Sequence, residues 1–456
     1  MKKRLVSALL AGAMVLSLAG CGGTTNEEST GDAAAEKTYE MASVEEVEGT
    51  EITFWHSMGG VNGEALETLV TKFNDENEYG IKVTSVYQGE YDDSLTKLKS
   101  AQIGNMGADL VQIYDIGTAF MINSGWIVPM QELIDADSYD MSNIEENLTA
   151  YYTVDDQLYS MPFNSSTPIM YYNVDMFEKA GITEIPTSLE GINEIGEQLM
   201  TEGGAGEAIS LSIYGWFFEQ FCCKQGLNYV NNGNGREGTA TAVEFDSNGA
   251  AENILTAWNT LYENGYAPNV GKGGDSGLAD FTAGKSAITL GSTASLKQIL
   301  QDVNGKFEVG TAYFPSITDT DEGGVSIGGA SLWALDNQDP VKLRATWDFI
   351  KFLISAESQA YWNAQTGYFP VTTEAHTEEV FLANIEQYPQ FQTAIDQLHD
   401  SAPEYAGALL SVFSEARATV ESEIENMLNG ETIDEVIESM AGSINKAIEE
   451  YNLVNN

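Results

Sequence analysis

The residues that could carry covalent chemistry show no catalytic spacing. The chain has three histidines among its 456 residues, His56, His376 and His399. It contains no HExxH, paired CxxC or GxSxG motif, so the usual signatures of zinc sites, redox sites and serine hydrolases are missing. No spacing among the 69 acidic residues singles out the carboxylate pair of a glycoside hydrolase. We expect a non-enzymatic protein with no metal and no cofactor, and a surface glycoside hydrolase stays as the remote alternative.

Aromatic side chains beside small polar residues are the pattern that could bind a ligand. Sugar rings stack on aromatic faces, while Asp, Asn and Ser side chains hydrogen-bond sugar hydroxyls. The aromatic residues assigned to loops are Trp55, Tyr91, Tyr114, Trp216, Trp333 and Tyr368. Any one of them is most often a core residue, so the indication of a ligand site comes only from their joint placement beside Gly and Ser.

Cys21 is a candidate for lipid modification. Three cations at positions 2–4 precede the apolar run Leu5 to Leu18, which is too short to span a membrane comfortably but suits a signal peptide. Leu18-Ala19-Gly20-Cys21 resembles the bacterial lipobox, in which residues 1–20 are removed and the cysteine receives a diacylglycerol group. We expect the mature protein at the extracellular face of the cytoplasmic membrane, anchored through Cys21. The alternative is an ordinary secretory signal with an incidental cysteine.

The segment after Cys21 is polar and small. Residues 22–50 contain almost no large apolar side chain, so they cannot offset the entropy lost on ordering. Residues 21–48 are therefore predicted to be a flexible, lipidated tether.

The charge of the chain limits its partners. The formal net charge is −49, which repels nucleic acid and anionic headgroups, so we expect no nucleic-acid partner. Cys222 and Cys223 are adjacent, and a disulfide between neighbours is strained. Two buried thiols are predicted instead.

Alternating strands and helices must position the candidate side chains. Strands are predicted at residues 51–55, 81–87 and 108–114, with helices between them. This order implies a parallel sheet whose ligand loops follow the carboxyl ends of the strands, at 56–60, 89–91 and 115–118.

A second α/β region is predicted from Ile169 onwards. Strands are expected at 169–173, 286–290 and 325–333, with a helix at 250–263 and mostly helices after 341. The roughly 400 residues beyond the tether exceed the size of one core, which favours two lobes.

Seven segments in chain order resemble one known family. They are similar to the extracellular solute-binding proteins of carbohydrate ABC importers, and within that family to members that bind glycerol 3-phosphate. The resemblance runs from about residue 51 to residue 375 and is thin beyond. The segments are FWHSMGG (Phe54 to Gly60), YQGEYDDSL (Tyr87 to Leu95), QIYDIGTAFM (Gln112 to Met121), PFNSSTPIMYYN (Pro162 to Asn173), FTAGKSAIT (Phe281 to Thr289), IGGASLWAL (Ile327 to Leu335) and QTGYFPVT (Gln365 to Thr372).

The resemblance implies a two-lobe α/β fold of the periplasmic-binding-protein type, with hinge strands and ligand held in the cleft. It places the first lobe at 49–165 and 288–329 and the second at 168–285 and 332–456. Crossings between the lobes are expected near 165–168, 284–287 and 329–332. Hinge closure around the ligand follows from this architecture.

The resemblance also implies the ligand contacts. Asp115 would accept hydrogen bonds from two adjacent hydroxyls, and Trp216 would stack on the apolar face of the ligand. The implied ligand-binding residues are Tyr91, Asp115, Ser166, Trp216, Ser292, Gly329 and Tyr368.

One departure concerns phosphate recognition. Where a glycerol-3-phosphate binder carries an arginine for the phosphate, this chain has Leu409, and a buried dianion without a cation is unfavourable. Arg417 is either a substitute or a structural residue. A neutral sugar or short oligosaccharide is therefore favoured, with glycerol 3-phosphate or a glycerophosphodiester as the alternative.

The partners implied by the resemblance are a small-molecule ligand and ABC permease subunits in the membrane. The protein is expected to act as a monomer and to undergo no covalent chemistry. A sensor that pairs with a membrane kinase is a further alternative to import.

The lipobox generates a first prediction. A lipobox lipid carries at least two acyl chains, which hold a protein stably on a membrane where one chain does not. Cys21→Ser should therefore move the protein from the membrane fraction to the soluble fraction in cell fractionation, while Cys223→Ser should not. A Cys21→Ser protein that stays on the membrane would contradict the anchor.

Overall fold

The computed structural model describes residues 39–103, 107–274 and 276–455. The predicted leader 1–20, the lipidation site Cys21 and the tether up to residue 38 lie outside these residues. Within the described ranges, no helix is long and apolar enough to cross a membrane.

The described strands form a five-stranded sheet, a four-stranded sheet and a two-stranded hairpin. Their bounds are β1 (Glu51–His56), β2 (Lys82–Tyr87), β3 (Leu110–Tyr114), β4 (Thr153–Val154), β5 (Gln157–Leu158), β6 (Met161–Ser166), β7 (Pro168–Asn173), β8 (Glu207–Ser210), β9 (Ser286–Ser292), β10 (Val309–Tyr313) and β11 (Gly328–Ala334). The predicted strands at 51–55, 81–87, 108–114, 169–173 and 286–290 are confirmed within a few residues. The strand predicted at 325–333 is β11, which begins at Gly328, and strands β4, β5, β6, β8 and β10 were not predicted.

Helices connect and cover these strands. Their bounds are α1 (Gly60–Glu76), α2 (Tyr91–Ile103), α3 (Thr118–Ser124), α4 (Met130–Asp137), α5 (Glu146–Tyr152), α6 (Val174–Ala180), α7 (Leu189–Gln198), α8 (Gly215–Lys224), α9 (Asn231–Gly235, with left-handed residues inside), α10 (Ala250–Glu263), α11 (Leu278–Thr282), α12 (Leu296–Val303), α13 (Pro340–Leu353), α14 (Ala356–Thr366), α15 (Glu379–Gln387), α16 (Gln390–Asp400), α17 (Phe413–Leu428) and α18 (Ile433–Asn455). The predicted helix at 250–263 is confirmed as α10.

The five-stranded sheet, called the first sheet, has the order β2-β1-β3-β11-β6. Strand β1 is parallel to β2 and β3, which confirms the predicted βαβαβ unit. Strand β11 is antiparallel to both β3 and β6. All five residues of β3 are buried, as expected of a central strand covered on both faces.

The four-stranded sheet, called the second sheet, has the order β10-β7-β9-β8. Strand β7 is antiparallel to β10 and β9, and β8 is parallel to β9. Each sheet with its helices forms one lobe of the two-lobe α/β fold that the sequence predicts.

A single residue, Thr167, separates β6 of the first sheet from β7 of the second. Its carbonyl oxygen accepts a hydrogen bond from Thr293 N at 2.9 Å. The buried Gln397 side chain donates to Pro168 O at 2.7 Å and accepts from Phe314 N at 2.6 Å. The crossing expected near residues 165–168 is therefore present, and side chains distant in sequence hold it in place.

The other two crossings differ from the sequence assignment. Strand β9 pairs between β7 and β8, so residues 288–292 lie in the second sheet and the chain does not cross at 284–287. Strand β11 lies in the first sheet, so the chain returns between residues 314 and 327, before 329–332. Strands β9 and β11 were predicted near their actual positions, but pairing partners depend on long-range register that a local pattern does not contain.

The helices after β11 also divide differently from the assignment of 332–456 to one lobe. Helix α13 packs on β1 and β11 of the first sheet, and α14 packs on α1. Helices α17 and α18 pack against α8 and α10 on the side of the second sheet. The helices within residues 332–456 thus pack on the sides of both sheets.

The described end of the predicted tether is packed on the fold. Val44–Val47 form a 3-10 turn that is opened by a capping box between Ser43 and Glu46, and Val47 is fully buried. The Ala42 N–H donates to Pro340 O at 3.0 Å. The prediction of a flexible segment up to residue 48 is wrong for these residues, because one buried valine and a local cap are enough to fix them.

Cys222 and Cys223 lie on α8 as buried free thiols, as predicted.

Candidate functional site

A cavity of about 330 Å³ is lined by residues from both sheets and their helices. All seven residues that the sequence predicts as ligand contacts line it, namely Tyr91, Asp115, Ser166, Trp216, Ser292, Gly329 and Tyr368. They are separated by up to 277 positions in the chain. The structure brings them together, and their role in binding stays a prediction.

Asp115 follows directly after β3, in the 3-10 turn Asp115–Gly117. This is one of the loops predicted at the carboxyl ends of the parallel strands, where such sheets place their sites. Glu90 and Tyr91, which follow β2, also line the cavity. Residues 56–60 were predicted to contribute but are not among the lining residues.

Tyr91 is held by a chain of hydrogen bonds. Gln112 Nε2 donates to Asn164 Oδ1 at 2.6 Å, and Asn164 Nδ2 donates to the Tyr91 hydroxyl at 2.9 Å. The Tyr91 ring stacks on Tyr114 with a centroid separation of 5.3 Å. Burial and a hydrogen bond with Tyr368 hold the pKa of Tyr91 well above its usual range, so its hydroxyl stays neutral. These contacts fix the orientation of one wall.

Trp216 forms the opposite wall, in the first turn of α8 rather than in the predicted loop. Its ring lies against the backbone of Gly328, where a Cβ atom would come within 2.6 Å of Trp216 Cζ2. Its Nε1–H is buried and has no hydrogen-bond partner among the described residues. Trp216 is therefore a largely buried residue that lines the cavity, with 4% of its surface exposed.

Gly329 permits the close approach of β11 to β6. Its φ is +91°, a conformation that favours glycine, and a Cβ atom would overlap the carbonyl oxygen of Asn164. The neighbouring residues Ala330 and Ser331 mark a register shift in the same strand pair. Only glycine fits where the backbone lines the cavity.

Three buried charges meet at one side of the cavity. Arg417 Nε donates to Glu219 Oε1 at 2.8 Å, and Arg417 Nη2 donates to Glu219 Oε2 at 2.7 Å. Arg417 Nη2 also lies 3.6 Å from Asp115 Oδ2. The guanidinium lies over the Tyr214 ring at 5.8 Å from its centroid. Arg417 and Asp115 line the cavity, while Glu219 lies behind them.

Burial dominates the electrostatics of this cluster. It raises the pKa of Glu219 to about 7, although Arg417 opposes the shift. It also raises the pKa of Asp115, again against the effect of Arg417. With both carboxylates ionised, the cluster carries one net negative charge.

Sequence reasoning missed part of this site. Tyr214 and Glu219 were not singled out, and Arg417 was left open as either a substitute for the phosphate-binding arginine or a structural residue. Leu409, the position expected to decide phosphate binding, lines a different cavity and does not reach this one. No local sequence signal distinguishes Arg417 from arginines that do not line the cavity. Arg417 reaches the cavity because α17 packs against α8.

Two of the aromatic candidates are not part of the site. Trp333 is completely buried in β11 and Trp55 lies in β1, and neither lines the cavity. The general expectation that a single ring is a core residue holds for Trp333, while Trp55 is partly buried and packs against the core.

Two sheets joined by crossing segments, with a cavity of polar and aromatic side chains from both, define a two-lobe solute-binding protein. The chain belongs to the bacterial extracellular solute-binding proteins, whose family profile matches residues 68–393.

Curated relatives extend this likeness over most of the chain. The chain is 32% identical over 413 residues to the sn-glycerol-3-phosphate-binding periplasmic protein UgpB of Pectobacterium atrosepticum, covering 87% of this chain and 91% of that protein. It is 32% identical over 396 residues to UgpB of Salmonella typhimurium, covering 84% of this chain and 88% of that protein.

Solved structures show the same fold. UgpB from Mycobacterium tuberculosis in complex with glycerophosphocholine matches with a TM-score of 0.74 at 22% identity, covering 88% of this chain and 99% of that chain. The cyclic alpha-maltosyl-1,6-maltose binding protein from Arthrobacter globiformis matches with a TM-score of 0.72 at 21% identity and the same coverage.

Gly329→Ala tests the close approach of β11 and β6. A positive φ costs alanine about 1 kcal/mol, and the overlap with Asn164 O should bring the loss in the free energy of unfolding to about 2 kcal/mol or more. Gly305→Ala is the matched control, because Gly305 has φ +72° and nothing within 4 Å of an added Cβ. Denaturant unfolding measures both, and equal losses would show that the overlap is relieved at no cost.

Proposed function

We propose that this protein captures a neutral sugar or short oligosaccharide for uptake. The observation that carries the proposal is that Arg417, the only cation among the described residues lining the cavity, already donates two hydrogen bonds to Glu219. With both carboxylates ionised, the cluster with Asp115 has a net negative charge, which favours an uncharged, hydroxyl-rich ligand over an anion.

The remaining groups suit such a ligand. The Asp115 carboxylate can accept hydrogen bonds from two adjacent hydroxyls, which are stronger than bonds between neutral groups. The Trp216 ring offers a face for stacking, and its Nε1–H offers a donor to a ligand oxygen. A volume of about 330 Å³ is within the range of small-molecule sites. Each contact involves binding alone, so no covalent step is needed.

A second candidate ligand is glycerol 3-phosphate or a glycerophosphodiester. Arg417 lines the cavity and could contact an anion if it left Glu219. The names of the UgpB relatives also support this alternative. The two candidates differ in charge, so they can be separated by experiment.

The proposal includes the location and the partners. The motif at Cys21 supports a lipid-anchored protein on the extracellular face of the cytoplasmic membrane. There the protein would act as a monomer, without nucleic acid, and deliver its ligand to the permease subunits. Two permease genes beside its own gene would favour import over pairing with a sensor kinase.

A ligand panel tests the substrate class. Isothermal titration with mono- and oligosaccharides, glycerol 3-phosphate and glycerophosphodiesters should find a neutral sugar whose affinity hardly depends on salt. Asp115→Asn should weaken it about tenfold or more, because a charge-assisted hydrogen bond is lost. Asp93→Asn removes an exposed charge two residues after Tyr91 and serves as the control. Binding of glycerol 3-phosphate that weakens with salt, without any sugar binding, would overturn the sugar preference.

The single-residue crossing at Thr167 predicts closure of the lobes around the ligand. The radius of gyration from small-angle scattering should fall when the sugar found by the panel is added at saturation. The melting temperature should rise with ligand concentration, because only the native state binds. An unchanged radius despite saturated binding would contradict closure.

A further inference from the structure

We propose that Glu219, which does not line the cavity, sets the charge selectivity of the cavity by holding Arg417. In this role Glu219 is a positioning residue that makes the site discriminate against anionic ligands. The inference rests on the proposed function in one respect, since it takes the cavity to be the solute site.

The geometry locks the guanidinium onto Glu219. Both side chains are nearly buried, with exposed fractions of 11% for Arg417 and 10% for Glu219. The two parallel hydrogen bonds, at 2.8 and 2.7 Å, form the fork arrangement in which arginine binds carboxylates and phosphates best. A ligand phosphate would need the same donors, so it must compete with a carboxylate that is already in place.

The two helices that carry the pair are themselves held together. The Gly215 N–H at the start of α8 donates to Glu421 Oε1 of α17 at 3.0 Å. A Cβ atom on Gly215 would overlap the Arg417 side chain, so the helices meet as closely as glycine permits. Arg417 therefore cannot swing freely from Glu219 to a ligand.

Asp115 adds to the discrimination. Its carboxylate lies 3.6 Å from Arg417 Nη2, on the cavity side of the pair. An anion that approaches the guanidinium therefore also approaches Asp115. Without the charge of Glu219, Arg417 and Asp115 would balance, and an anion would meet no net repulsion from the cluster.

The charge of Glu219 is not fixed near neutral pH, because burial raises its pKa to about 7. Protonation below that pH removes its negative charge, so affinity for an anion should rise as the pH falls. Burial also raises the pKa of Asp115, so protonation of Asp115 would add to the effect at lower pH.

The titratable and charged groups that face Glu219 are Arg417 and Glu421 of α17, Asp115 after β3, Tyr151 of α5, Tyr214 and Tyr229 in loops, and Cys222 and Cys223 of α8, with Arg236 beside Tyr151.

Glu219→Gln tests the proposal, because the amide keeps the shape of the side chain and removes its charge. The probe is glycerophosphoglycerol, a phosphodiester whose single charge does not titrate between about pH 6 and about pH 8. At about pH 8 its affinity should rise about tenfold or more in Glu219→Gln, while the affinity for the sugar found by the panel should change little. Glu415→Gln removes an exposed charge from α17, the helix that carries Arg417, and should change the phosphodiester affinity less than about threefold.

A pH titration keeps the test decisive if Glu219→Gln does not fold, which circular dichroism would reveal. In the wild type, the phosphodiester affinity should rise by up to about tenfold from about pH 8 to about pH 6, and in Glu219→Gln it should be nearly flat. A flat wild-type profile, or no gain in a folded Glu219→Gln protein, overturns the inference even if sugar binding stands. A wild type that binds the phosphodiester and no sugar, but binds it more tightly after Glu219→Gln, overturns the sugar preference and supports the inference.

Discussion

The ion pair between Arg417 and Glu219 is the interaction on which the site depends. An unpaired buried guanidinium would be strongly unfavourable, so the pair constrains how helices α8 and α17 meet. That arrangement places Trp216, one turn before Glu219, against the glycine backbone at the start of β11. It also brings Asp115 of the first sheet to the same guanidinium. One buried cation thus connects the wall on the second-sheet side, the first sheet and the charge of the cavity.

Much of the fold and the site could be read from the sequence, because both were encoded locally. Apolar runs and helical spacing located β1 to β3, β7, β9 and α10, and the order of these elements indicated a parallel sheet. The rule that sites follow the carboxyl ends of strands pointed to Tyr91 and Asp115. Ser166, Trp216, Ser292, Gly329 and Tyr368 were implied by the resemblance to one family, and all of them line the cavity.

What could not be read depends on contacts between distant residues. The partners of β9 and β11 are set by register across the sheets, so two of the three crossings were misplaced. Residues 39–48 look like a spacer by composition, but Val47 is buried against a surface formed by residues far along the chain. Arg417 is held at the cavity by Glu219, 198 residues earlier, and no local sequence pattern around either residue predicts the pair.

The packed N-terminal segment also has a mechanical consequence. Val47 and the hydrogen bond from Ala42 to Pro340 attach this segment to α13, which lies on the first sheet. Any pull on the chain ahead of Tyr39 is therefore taken up by the first sheet, while the second sheet bears none of it directly. With the proposed anchor at Cys21, a rotation about Thr167 would keep the first sheet near the point of attachment and move the second sheet.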